Sequence, residues 1–323
     1  MNKQKNGNKT WIILAASLIA AGLLIFAGAM IALDFDFTVL NTVKYETNTY
    51  TVSDSFSRLS IDAGAATIEF VLSDETQCKI VCLENEKLTH SAAVKDGRLT
   101  IGTVDSRKWY DHIGFSFGEP KMTVYLPKAE YAELLIKGST GDIEIPKDFQ
   151  FETVAVSAST GSVTCCASAS KSMKITLSTG TIRVGDASVG ALDLSVTTGA
   201  VNASSILCAG DVQVSVSTGK TKLTDITCRS VMSTGSTGSI TLKNVIAAER
   251  VSIERSTGDI QFDGSDAAEL SVKTSTGDVT GTLLSEKVFI TETGTGSVHV
   301  PKTITGGRCE IKTSTGDIQI EIR

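Results

Sequence analysis

The sequence predicts an all-β protein: a parallel β-solenoid (β-helix) of coils of about 19–20 residues, preceded by one transmembrane α-helix. Three observations predict it. A Thr-Gly phrase recurs at even spacing through the last two thirds of the chain, apolar residues form columns around it, and one long uncharged apolar segment stands near the start.

The phrase, usually Ser-Thr-Gly, places glycines at 141, 161, 180, 199, 219, 238, 258, 277, 296 and 316, always 19 or 20 residues apart. Such regularity over ten copies is the mark of a repeat array. Seven residues before each glycine the side chain is apolar, from Leu134 to Cys309. Five before, eight of ten are apolar, with Ser233 and Thr291 the exceptions. Two after, Ile or Val dominates, with Thr221 the exception, and four after the column continues through Ile145, Val184 and Ile320. Polar residues fall between these columns. Alternation of period two predicts strands with one buried face. The inward positions are odd before the glycine and even after it, so the glycine flips the parity as a corner or bulge does. A two-strand unit this short buries its apolar face only against neighbouring copies. A β-sandwich is the rival, and fixed columns without hairpin turns argue against it.

Trp11–Leu33 contains 23 residues without a charge, about 35 Å as a helix, against a hydrocarbon core of ~30 Å. Lys3, Lys5 and Lys9 precede it and Asp34 follows. The basic side is expected to stay in the cytoplasm, leaving a cell-membrane protein with the bulk of its chain extracytoplasmic. Ala27-Gly28-Ala29 also resembles a signal-peptide cleavage site, but the apolar run exceeds the usual h-region, which favours an uncleaved anchor. The expected organisation is a cytoplasmic basic tail (1–10), the membrane helix (11–33), a juxtamembrane connector (34–55), irregular first coils (56–133) and regular coils (134–323). In the irregular part Leu59, Ile61 and Ile68 fit the −7, −5 and +2 columns if Ala66 takes the glycine slot. The segment WYDHIGFSFGEP (109–120) reads as a protruding insertion.

With these residues in place, the segments SFSRLSIDAGAATIEF, KWYDHIGFSF and MTVYLPKAEYAELLIKGSTGDIEI, followed by tandem S-T-G-D strands, resemble the bacterial "putative adhesin" domain-of-unknown-function family. The resemblance spans about residues 50–323. It implies a membrane-anchored cell-envelope β-strand-repeat protein without established catalytic residues, and some relatives stand beside envelope-stress signalling systems.

Several chemistries are tested and set aside. The formal charge of −6 and the lack of a basic stripe argue against nucleic acid. Asp follows the glycine in only four copies (142, 259, 278 and 317), and a metal ladder would need ligands in adjacent coils, where only 259 and 278 are expected to fall. The calcium nonapeptide is missing, and no paired CxxC suggests zinc. His90, His112 and His299 form no recognisable triad or HExxH pattern. No cofactor, metal or catalytic residue is therefore expected. The phrase is read as a structural corner, represented by Thr140-Gly141, Thr257-Gly258, Thr276-Gly277 and Thr315-Gly316. Its threonines are expected to point inward and pass hydroxyl hydrogen bonds from coil to coil. A carbohydrate-active enzyme resembling polysaccharide lyases is the alternative on such a scaffold, with 105–120 its sole candidate region.

Two features remain open. Trp109, Tyr110, Phe115 and Phe117 gather four aromatics, either capping the apolar end of the stack or forming a docking patch. Cys208 and Cys228 lie nine residues after their glycines, so they stack about 4.8 Å apart, within disulfide range if their side chains converge. The reading that results is a non-catalytic interaction module, adhesin-like or accessory to envelope-stress sensing, contacting a cell-wall polymer or envelope protein. TSTGDIQIEIR (313–323) is expected to form the open last coil, a candidate self-association surface.

Overall fold

The computed structural model describes residues 5–36, 43–112 and 118–323. The chain divides into two compact units, Met1–Tyr45 with Ser106–Glu119, and Glu46–Asp105 with Pro120–Arg323. In the first, helix α1 (Lys5–Ala32) carries a long apolar stretch, Lys9–Ala32, exposed along most of its length, a candidate membrane span or signal sequence.

The second unit is the β-solenoid. Its first strands are β1 (Tyr45–Val52), β2 (Arg58–Asp62), β3 (Thr67–Ser73), β4 (Cys78–Asn85), β5 (Leu88–Lys95), β6 (Arg98–Asp105), β7 (Lys121–Pro127), β8 (Glu130–Thr140) and β9 (Ile143–Ile145). Longer strands follow: β10 (Gln150–Cys165), β11 (Ser168–Val189), β12 (Leu192–Cys208), β13 (Asp211–Thr237), β14 (Ile240–Thr257) and β15 (Ile260–Thr276). The chain ends with β16 (Val279–Leu283), β17 (Lys287–Thr295), β18 (Val298–His299), β19 (Gly307–Thr315) and β20 (Ile318–Ile322). Neighbouring coils pair in parallel with the glycines in register, Gly161 to Gly180 to Gly199 to Gly219. The apolar columns line one continuous core. Exposed ion pairs such as Lys171–Glu152, Lys174–Asp193 and Arg250–Glu269 link residues 19 apart, one coil to the next. Exposed pairs of this kind contribute little each.

A second corner was not legible in the repeat. Six residues after their glycines, Asp186, Ser205, Asp225 and Asn244 adopt φ between 50° and 54°, the left-handed region that short polar side chains tolerate best. This corner flips the parity again, so Ala187 and Val189, Ile206 and Cys208, and Ile226 and Cys228 return to the core. Each such coil therefore has three strand segments rather than two.

Neither end of the stack follows chain order. β2 pairs in parallel with β8 on one side and β6 on the other, and β3 with β9 and β7. Leu59, Ile61 and Ile68 fall in register with Leu134, Ile136 and Ile143, as the column assignment expected. The coil of β6 and β7 lies outside them, with residues 106–119 between these two strands in sequence. Beyond it, β4 pairs antiparallel with β7 and β5 with β6, forming a hairpin cap. β1 adds to β4, so part of the expected connector is a strand.

At the other end β15 and β16 pair not with the next coil in sequence but with β19 and β20. β17 and β18 pair on the far side of β19 and β20. The expectation of an open last coil at 313–323 is thus corrected: that segment lies inside the stack, and 287–299 forms the end. Composition accounts for the exchange. Cys309, Ile311, Ile318 and Ile320 are at most 2% exposed between two neighbours, whereas the outer coil offers Thr291 and a half-exposed Val298 to the same columns.

Candidate functional site

The Thr-Gly corner comes first because it is the most repeated element. At Gly219 φ is 141°, and an added Cβ would stand 1.5 Å from the carbonyl oxygen of Gly199. Only glycine fits a column this tight. The threonines before the glycines are exposed, which corrects the expectation that they point inward. The chain already bends outward two residues before the glycine, so the strand alternation ends at the −3 position.

The corners close in two ways. The strand ladder is interrupted at Gly141, Gly258, Gly277 and Gly316, where Asp follows, and at Gly238 and Gly296, where Ser follows; it runs through Gly161, Gly180, Gly199 and Gly219. The carboxylates accept the freed N–H of the next coil: Asp142 from Ser162 (2.7 Å), Asp259 from Asp278 (3.0 Å), Asp278 from Asp317 (2.8 Å) and Asp317 from Ser297 (2.7 Å). From inside, the −3 threonines donate to glycine carbonyls of the preceding coil, Thr313 to Gly277 (3.1 Å) and Thr293 to Gly316 (2.9 Å). The exchanged end makes Asp259, Asp278 and Asp317 a three-step ladder, though Asp317 follows Asp278 by 39 residues. Each carboxylate is engaged by a backbone amide, so the phrase acts as a corner with its own caps.

Ser233 and Thr221, exceptions to the apolar columns, share one cause. Arg255 is 4% exposed in the core and donates to the hydroxyls of Ser233 (2.9 Å) and Thr221 (3.1 Å). Burial holds its guanidinium below the ordinary arginine value.

The hairpin cap holds the one group of three His, Cys and carboxylate donors gathered closely enough to share an ion among the described residues. Glu84 is 1% exposed and its carboxylate accepts four hydrogen bonds. Oε1 takes the Tyr50 hydroxyl (2.7 Å) and the Asn48 amide (2.8 Å); Oε2 takes the His90 backbone N–H (2.9 Å) and Nδ1 (2.5 Å). Burial pushes this carboxyl up, but the bonds from Tyr50, His90 and Asn48 outweigh it and leave it below its usual value. Cys82, two residues earlier on the same strand face, is fully buried, and burial with the nearby Glu84 charge pushes its thiol up to about 12. One donor atom each from Cys82, Glu84 and His90 lie within 4.8 Å of one another. No motif announces this group, because it is assembled across a hairpin from positions 82, 84 and 90. An interior Glu and His at positions where the strand alternation calls for apolar residues were the available signal.

The remaining expected residues are dispersed. Trp109 is exposed and Tyr110 half-exposed, their rings edge to face at 5.8 Å in a short 3-10 helix, and neither joins the buried core. Phe115 and Phe117 lie outside the described residues. Cys208 and Cys228 lie in neighbouring coils, and the Cys208 thiol faces the carbonyls of Asp211 (3.5 Å) and Gly190 (3.8 Å).

The fold and its corners define a class, a Thr-Gly-cornered β-solenoid of stacked parallel coils with an apolar helix near the amino end. The sequence profile of the family described as Toastrack DUF4097 matches residues 56–210 and 207–323, and the chain belongs to that family. Solved structures with similar coils include a "putative adhesin" from Parabacteroides distasonis ATCC 8503, 10% identical, covering 87% of this chain and 98% of that one with a TM-score of 0.39. A "putative adhesin" from Bacteroides fragilis NCTC 9343 is 14% identical, covering 86% and 97% with a TM-score of 0.33. A "putative lipid binding protein" from Parabacteroides distasonis ATCC 8503 is 17% identical, covering 75% and 95% with a TM-score of 0.39. No curated protein matches the sequence.

Proposed function

We propose that the protein is a non-catalytic interaction module of the cell envelope, held by α1 as a single membrane span with its amino end in the cytoplasm. The observation that carries this reading is the unequal finish of the solenoid. One end carries the β4–β5 hairpin beyond its last parallel coil, whereas no further strand pairs beyond β17 and β18 among the described residues. Val288, Ile290, Val298 and Ile304 are exposed there, Ile304 at 92%. An unpaired parallel edge with apolar side chains is a template for a further strand.

This edge, not residues 313–323, is the contact surface in the proposal. It serves self-association or a strand from an envelope partner, with the exposed Trp109–Tyr110 pair as a second contact. Adhesin-like and envelope-stress roles both fit a module of this kind. Light scattering on the full chain in detergent tests it: a defined oligomer is expected, and Ile290→Lys should return it to monomers. A wild-type protein that is monomeric and binds no envelope component through this edge would overturn the assignment.

A further inference from the structure

We propose that the hairpin cap is a binding site for one thiophilic transition-metal cation, held by the Cys82 thiolate and the His90 imidazole, with Glu84 positioning the ring. The first argument is the state of the imidazole. Nδ1 is held by Glu84 at 2.5 Å, while Nε2 is buried and has no hydrogen-bond partner. His90 is 7% exposed, so the ring nitrogen is shut off from bulk solvent. Buried ring nitrogens are nearly always satisfied, and a carboxylate behind one nitrogen with the other left open is the arrangement that metal-binding histidines adopt.

The second argument is the company the ring keeps. Cys82 is a sulfur donor on the same strand face as Glu84, and its sulfur, one ring nitrogen of His90 and one Glu84 oxygen lie within 4.8 Å of one another. Metal–sulfur and metal–nitrogen bonds of about 2.3 and 2.0 Å hold two such donors at most about 4.3 Å apart, so the Cys82 and His90 side chains close on the ion when it binds. Glu84 already accepts four donors and is better suited to hold the ring than to leave it. Sulfur with imidazole selects zinc or monovalent copper over calcium or magnesium. On binding, the Cys82 S–H proton passes to solvent as the sulfur–metal bond forms, with no change of oxidation state.

The site would fasten the hairpin to itself, joining β4 to β5 where they seal the solenoid. The test uses the full chain in detergent, stripped with chelator and then titrated separately with Co2+, as a spectroscopic substitute for Zn2+, and with Cu+. One equivalent of one of these ions is expected to bind with a thiolate-to-metal charge-transfer band and to raise Tm by a few degrees. His90→Gln and Cys82→Ser should each abolish the band, while Cys78→Ser, a buried thiol on the same strand outside the cluster, should keep it. Binding of Co2+ marks the zinc-like form and binding of Cu+ alone the two-coordinate form. If Cys82→Ser does not fold, His90→Gln and metal protection of Cys82 from alkylation carry the same reading. Absence of the band in the wild type, or its persistence in a folded His90→Gln protein, overturns the site.

Discussion

The two ends of the solenoid solve one problem differently. At each, the outermost coil is not the one nearest the terminus of the repeat: β2 and β3 lie inside β6 and β7, as β19 and β20 lie inside β17 and β18. The amino-terminal end then adds an antiparallel hairpin whose Cys78, Ile80 and Cys82 are at most 1% exposed. The other end adds none and leaves Ile290 and Val298 about 40% exposed or more. Clamping a terminal coil between neighbours protects it from fraying, since both its edges are paired. Covering the outermost parallel coil is a separate matter: β4 and β5 do so at one end, becoming with β1 the edge there, and no strand does so at the other among the described residues. That difference is why the open edge carries the proposed contact.

Deleting 307–323 should break the comparison most severely. It removes an interior coil together with Ile311, Ile318 and Ile320, so 287–299 loses its strand neighbours among the described residues. Hydrogen exchange should show protection lost across 287–299; retained protection would mean the outer coil docks on β15 unaided. Next in size, Ile80→Ala in the sealed cap should cost about 2–5 kcal/mol by chemical denaturation, as buried truncations do. Ile290→Ala at the open end should cost under about 1 kcal/mol. Equal costs would show that the open edge is covered in solution.

A change between the ends gives a control. Arg255→Met with Ser233→Val replaces a buried guanidinium and its hydroxyl by apolar groups. It should raise stability by about 1 kcal/mol, since buried charge is expensive to desolvate. Exchange at both ends should not change. The smallest effect concerns Asp317, whose carboxyl is held below its ordinary value by the Ser297 N–H and hydroxyl. A depressed carboxyl stabilises fully above its unfolded value of about 3.9, and the contribution fades as pH falls through the lower folded value. The outer coil should therefore loosen only below about pH 4, and Asp317→Asn should remove that response. Unchanged acid loosening in the variant would assign it elsewhere.

Much of this was legible residue by residue. Gly219 announced its corner because no other residue tolerates both its backbone and its neighbour's carbonyl. Ser233 and Thr221 stood out as polar intruders, but their cause, Arg255, lies 22 and 34 residues away and needed three dimensions. The threonines before the glycines misled, because parity counting assumes a straight strand and the chain there is already turning. Asp186 and Asn244 carried no signal in the repeat, since a left-handed corner leaves only a weak preference in sequence.

By itself the sequence determined that this chain stacks parallel coils of 19–20 residues on an apolar core behind one apolar helix, because spacing and alternation are local properties. The tertiary structure decided the order of the coils at both ends, which end is sealed, and the meeting of Cys82, Glu84 and His90. Coils with equivalent columns are interchangeable in sequence. Which one lies inside depends on how much apolar surface each can bury between two neighbours, and that is settled only when the stack closes.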